Sequence, residues 1–126
     1  MWQDSLLHQP CETSLNPKLD ALFGNRSATQ TLLFLQNYGE GYARGIASTF
    51  DVSHMAIQRQ LRRFEAEGII VSRMVGNTRI FTWNPRSATV KNLRTFLEAE
   101  LELLPKETAQ QFFRQRQRPR RSGKAL

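Results

Sequence analysis

Apolar residues recur at helical spacing in several separate stretches of this chain, and at strand-like spacing in one. Asn16-Pro17 reads as an N-cap followed by proline at the first helical position, and Gly24 as the stop of a short helix. Asn25 caps the next helix, in which Ala28, Leu32, Leu33 and Leu35 return on one side up to Tyr38-Gly39. After a break at Gly39-Glu40-Gly41, Ala43 to Phe50 predicts a helix with Ile46, Ala47 and Phe50 inward, locally weakened by Gly45. Asp51-Val52 is a tight connection. Ser53 is then an N-cap for a helix running to Glu67, with Gly68 as its terminator.

The 53–67 helix has two unlike sides. At about 100° per residue, Ile57, Leu61 and Phe64 fall in one narrow stripe. Met55, Arg59 and Arg62 lie opposite, flanked by Gln58 and Arg63. Ile69 to Val75 and Arg79 to Trp83 are β-prone, joined by Gly76-Asn77-Thr78, so a hairpin over 69–83 is predicted. Asn84-Pro85 stops the second strand. A last long helix, about 87–104, carries a stripe of Val90, Leu93, Leu97, Leu101 and Leu104, with Phe96 and Leu103 at its edge. That arc is broad for a helix lying on a single surface and implies a second partner. The pattern predicts a mainly α fold with a small β-hairpin over 17–104. Residues 1–16 are expected to form an N-terminal arm and 105–126 a basic, disordered tail with at most a short helical turn at 106–113.

Charge changes this picture only once it is located. The net charge is +7, but residues from Lys106 onward hold seven basic side chains and one acid, which leaves about +1 for residues 1–105. Between Ser53 and Arg94, however, eight basic residues face only Glu65 and Glu67. The single Cys11 excludes an internal disulfide framework and suits a reducing cytoplasm. No apolar run approaches the ~18 residues that span a bilayer, and the start lacks the features of a signal peptide. The expected setting is therefore cytoplasmic.

The order Leu22-Phe23-Gly24, Ile46-Ala47, Val52-Ser53, Ala56-Ile57, Arg59, Leu61, Phe64-Glu65, Gly68-Ile69-Ile70, then Gly76-Asn77 and Arg79, resembles the winged helix-turn-helix regulators. It is similar specifically to the ArsR-like and MarR-like group of bacterial and archaeal transcription factors, over about residues 20–104. The resemblance implies a winged helix with an additional C-terminal dimerisation helix, binding to double-stranded DNA, and a homodimer on a near-palindromic site. A repressor is the expected kind. One departure is informative: metal-sensing ArsR-like repressors carry paired cysteines in the helix before the turn, where this chain has Tyr42 and Arg44.

The candidate DNA-binding residues are Ser53, His54, Met55, Gln58, Arg59, Arg62, Arg63, Arg73, Asn77 and Arg79. Arg59 and Gln58 suit base edges, and Met55 a thymine methyl. Arg62 and Arg63 suit phosphates, and Asn77 and Arg79 the minor groove or its phosphates. Ser53 serves as helix cap or phosphate donor. Val90, Leu93, Phe96, Leu97, Leu101 and Leu104 are the candidate dimerisation residues. His8, Cys11 and Glu12 have metal-like spacing but too few ligands, so no metal and no cofactor are expected. No catalytic constellation is evident, and an enzyme is not expected. The alternative is a winged helix used as a protein-interaction module, an adaptor or antitoxin-like subunit with weak or no DNA binding.

Overall fold

In the computed structural model, which describes residues 14–113, the chain begins with capping by side chains. Asn16 accepts from the backbone N–H of Lys18 and Leu19 and starts α1 (Pro17–Phe23), which Gly24 closes with φ 104°. Asn25 accepts from Ala28 N–H at 2.7 Å and starts α2 (Arg26–Tyr38). Each cap satisfies amides that the helix itself leaves without partners. Helix α2 is the centre of the fold, with Ala28, Leu32, Leu33 and Leu35 all buried as the periodicity requires.

A short strand β1 (Glu40–Gly41) leads into α3 (Ala43–Phe50), whose Ile46, Ala47 and Phe50 are buried. The bend after α3 is made at Asp51, which sits in the left-handed region at φ 57°; aspartate tolerates this conformation better than most residues. Val52 N–H returns to Ala47 C=O at 3.0 Å, and Ser53 accepts from Ala56 N–H to open α4 (His54–Ala66). Ile57, Leu61 and Phe64 are buried as a stripe.

Strands β2 (Ile70–Val75) and β3 (Thr78–Trp83) form the hairpin. Val75 pairs with Thr78, so the connection is the two residues Gly76-Asn77, with Thr78 already in the strand rather than in the turn. Of the two, only Gly76 has positive φ, as the first central position of a type II′ turn requires. The Gly39-Glu40-Gly41 break contains β1, which pairs with β3 and makes a three-stranded antiparallel sheet of order β1-β3-β2. Gly41 is required there, because a Cβ would meet the Phe34 ring at 2.7 Å. Two helices, a sharp turn and a following hairpin make this a winged helix-turn-helix fold of the α+β class.

Ser87 caps α5 (Ala88–Leu103), and here two expectations are corrected. The stripe expected to face a second copy is covered by the chain itself. Val90, Leu97 and Leu101 are buried in the core beside α2, and Leu93 and Leu104 pack against that core, half-buried. Of the six expected dimerisation residues only Phe96 is exposed. The fold also continues past 104: α6 (Lys106–Phe112) is helical, and Phe113 is 1 % exposed. Its ring joins an aromatic cluster with Tyr38 and Phe50, while Tyr38 Oη–H donates to Phe112 C=O at 2.7 Å. At the other end, Ser14 bonds Asp20 and Leu15 packs on the core, so the arm is part of the fold by residue 14. His8, Cys11, Glu12 and the basic residues from 114 on lie outside the described residues.

Candidate nucleic-acid interface

The polar side of α4 divides in two around its outward front, Met55 and Arg59. At about 100° per residue, His54, Gln58, Arg62 and Glu65 run along the flank that faces the hairpin. Gln60 and Arg63 occupy the opposite flank, towards α1. Met55 is 66 % exposed and Arg59 is also exposed, so the front of the helix projects from the surface.

Between the hairpin flank of α4 and the hairpin lies an open groove of about 610 Å³. His54, Gln58 and Arg62 line it from α4, Asn77, Thr78 and Arg79 from the hairpin, and Tyr42 and Arg44 from the start of α3. Three guanidinium groups from three separate elements therefore border one space, with Glu65 and Phe81 at its back. In the sequence Arg44 marks only a position where the ArsR-like resemblance would place a metal-binding cysteine. Its spacing carries no signal of a shared site, because the groove forms only when α3, α4 and the hairpin meet. The Tyr42 ring lies against the first turn of α3, where Gly45 leaves it room; a Cβ there would meet the ring at 2.8 Å.

Register separates the two hairpin arginines. Ile70, Ser72 and Met74 share a face with Trp83, Phe81 and Arg79, and Ile70, Phe81 and Trp83 are buried. Arg79 is therefore on the α4 side of the sheet. Its Nη1 donates to Ser72 Oγ at 3.0 Å, and the Ser72 hydroxyl donates to Glu65 Oε2 at 2.6 Å. This chain of bonds ties the hairpin arginine to the helix whose flank it faces. Arg73 points to the other side of the sheet, where it pairs with Glu40 at 3.1 Å. It does not line the groove.

Arg63 is also drawn away. Its guanidinium donates to Phe23 C=O at 3.1 Å and, through Nε and Nη2, to Gln60 Oε1, and it lies over the Phe64 ring at 4.8 Å. Gln60, itself buried, is thus the acceptor that orients Arg63 against α1. Ser53 is occupied as the cap of α4. The structure thus brings His54, Gln58, Arg62, Asn77 and Arg79 together, leaves Met55 and Arg59 at the front beside them, and sets Arg63 and Arg73 elsewhere.

Among the described residues no group of three or more histidine, cysteine or acidic side chains has metal-binding geometry, and no helix is long and apolar enough to cross a membrane. No protein-family model matches the chain, and no curated protein matches it. Among solved structures, it is similar to a mutant of Lactococcus lactis ZitR in apo form. The two share 19 % identity over 71 % of this chain and 77 % of that one, with a TM-score of 0.47.

Proposed function

We propose that this chain is a sequence-specific, double-stranded DNA-binding transcriptional regulator acting as a homodimeric repressor. The observation that carries this is the shared groove, in which Arg44, Arg62 and Arg79 converge beside the projecting front of α4. An α-helix with its side chains is ~10–12 Å across and the major groove of B-DNA is ~12 Å wide, so α4 can enter it front first. Arg59 and Gln58 then meet base edges, where a bidentate arginine–guanine pair discriminates by about 1–3 kcal/mol. Met55 offers an apolar contact to a thymine methyl. Arg44 and Arg62 take phosphates along the groove wall, and Arg79 with Asn77 takes the adjoining backbone or minor groove. Two copies related by a two-fold axis read two half-sites about 34 Å apart, which gives a near-palindromic operator. Occupying such a site at a promoter blocks it, which makes repression the expected outcome.

Selection of the full chain on random duplexes tests this. A symmetric site should emerge, and Arg59→Ala should lose about 1–3 kcal/mol of preference at one base pair per half-site while binding other duplexes as before. Recovery of no coherent site, or an Arg59→Ala variant with unchanged preference, would overturn the assignment of α4.

A further inference from the structure

The groove between α4 and the hairpin holds one carboxylate among its arginines. Glu65 follows Arg62 by three residues on the same flank of α4, a spacing at which opposite charges on a helix meet. Arg79 faces it from the hairpin. Yet Glu65 forms an ion pair with neither arginine. Between Glu65 and Arg79 stands the half-buried hydroxyl of Ser72, which donates to Glu65 Oε2 at 2.6 Å and accepts from Arg79 Nη1 at 3.0 Å.

A hydroxyl has one proton to donate and two lone pairs with which to accept. The carboxylate only accepts, so it fixes the direction of that proton, and Ser72 turns a lone pair towards Arg79. One N–H of the guanidinium is taken and the rest of its fork stays open, so the charge is oriented without being neutralised. Remove the hydroxyl, and the nearest acceptor left to Arg79 is the carboxylate itself. A carboxylate can take both arms of an arginine at once, which would turn the fork inward and cancel its charge.

We propose that Ser72 is a positioning residue for DNA binding: it keeps Glu65 engaged and off Arg79, so that the guanidinium stays available to a phosphate. This rests on the reading of the groove as a DNA interface, and adds to it a residue that acts only through Arg79. The carboxylate in the groove is then a rival of the DNA phosphates, held in check by one hydroxyl.

Binding of the selected duplex by the full chain, at several salt concentrations, tests this. Ser72→Ala should weaken binding roughly five- to tenfold per copy and lower the salt slope by about one, as the loss of one phosphate contact does. Ser72→Thr keeps the hydroxyl and should stay within about twofold of the parent. Adding Glu65→Gln to Ser72→Ala should restore both affinity and slope, whereas Glu65→Gln in the parent should gain no more than about twofold. A merely structural loss would not be relieved by removing the carboxylate. Ser72→Val, suited to a strand but without the hydroxyl, takes the place of Ser72→Ala if that variant does not fold. Nitrogen relaxation of the arginine Nε–H groups reads the same contact without DNA. Arg79 should be more ordered than Arg62, which makes no hydrogen bond among the described residues. Its signal should shift in Ser72→Ala, and adding Glu65→Gln should leave it as mobile as Arg62. An Arg79 signal unmoved by Ser72→Ala, a loss of affinity that Glu65→Gln does not relieve, or equal gains from Glu65→Gln in both backgrounds would overturn the proposal while leaving a selected site intact. If no duplex is selected at all, the proposed function fails and this inference with it.

Discussion

Helices α4 and α5 each bury one apolar stripe, but they differ in what the remaining surface carries. On α4 the outward side holds Met55, Arg59 and Arg62, long side chains with hydrogen-bonding or polarisable ends. On α5 a second line, of apolar and small side chains with one asparagine (Thr89, Asn92, Phe96, Ala99 and Leu103), is exposed. In both helices the buried stripe explains the fold and leaves function untouched. What distinguishes a helix suited to a polar groove from one suited to another helix is its second face. On α5 the half-buried Leu93 and Leu104 bridge the two stripes, so in sequence they merge into one broad arc and only packing tells them apart.

The largest expected effect tests that separation directly. Leu97→Ala removes a side chain that is fully buried, and should cost about 2–5 kcal/mol of stability. Leu103→Ala, six residues on and 75 % exposed, should change the monomer by no more than about 0.5 kcal/mol. Urea denaturation at concentrations where the chain is monomeric measures both. Equal costs would mean that the two stripes are one.

Most of the helix-turn-helix was legible in the sequence because its signals are local. Asn16, Asn25, Ser53 and Ser87 cap helices through side chains reaching only two or three residues ahead. The buried stripes of α2, α3 and α4 follow the same local periodicity. What was hidden depends on residues distant in sequence. The two-residue β1 has no pattern of its own and exists because β3 pairs with it. The burial of Leu93 and Leu104 beside the core, and of Phe113 in the aromatic cluster, is decided by where the C-terminal segment lands. Among the candidate site residues the same rule applies. The arginines were visible, but whether each faces the groove depends on register for Arg73 and Arg79, and on a distant carbonyl for Arg63.

Those arginines give the next comparison, of intermediate size. Arg63 ties α4 to Phe23 C=O of α1, braced by Gln60 of its own helix and lying over Phe64. Arg63→Ala should lower stability by about 1 kcal/mol, since an exposed cation–π contact and a net hydrogen bond are each of that order or less. Its DNA affinity, measured on the folded variant, should barely move. Arg62→Ala should do the reverse: stability within about 0.5 kcal/mol of the parent, and a salt dependence of DNA binding reduced by about one released counterion. Titrations of the same duplex at several salt concentrations, beside thermal melts, separate the two. Should Arg63→Ala flatten the salt dependence instead, the α1 flank of α4 touches DNA and the proposed docking of the helix must be rotated.

The smallest effect belongs to Arg73, which differs from Arg79 by one face of a strand. Its partner Glu40 lies 3.1 Å away, but both side chains are more than half exposed, at 55 % and 52 %. Water and salt screen such a pair, and holding two long side chains together costs entropy, so its worth is a few tenths of a kcal/mol, within the ~0–1 kcal/mol of surface ion pairs. A double-mutant cycle with Arg73→Ala and Glu40→Gln should return a coupling of about that size, fading as the Debye length shrinks towards ~3 Å at 1 M salt. On DNA, Arg73→Ala should bind as the parent does, whereas Arg79→Ala should lose affinity on every duplex. If Arg73→Ala weakened binding as much as Arg79→Ala, the phosphate path would have to pass along the outer face of the sheet as well as the groove. Two arginines that flank one hairpin tip are thus given different work by the alternation of a strand, and a neutral result at position 73 is what gives a loss at position 79 its meaning.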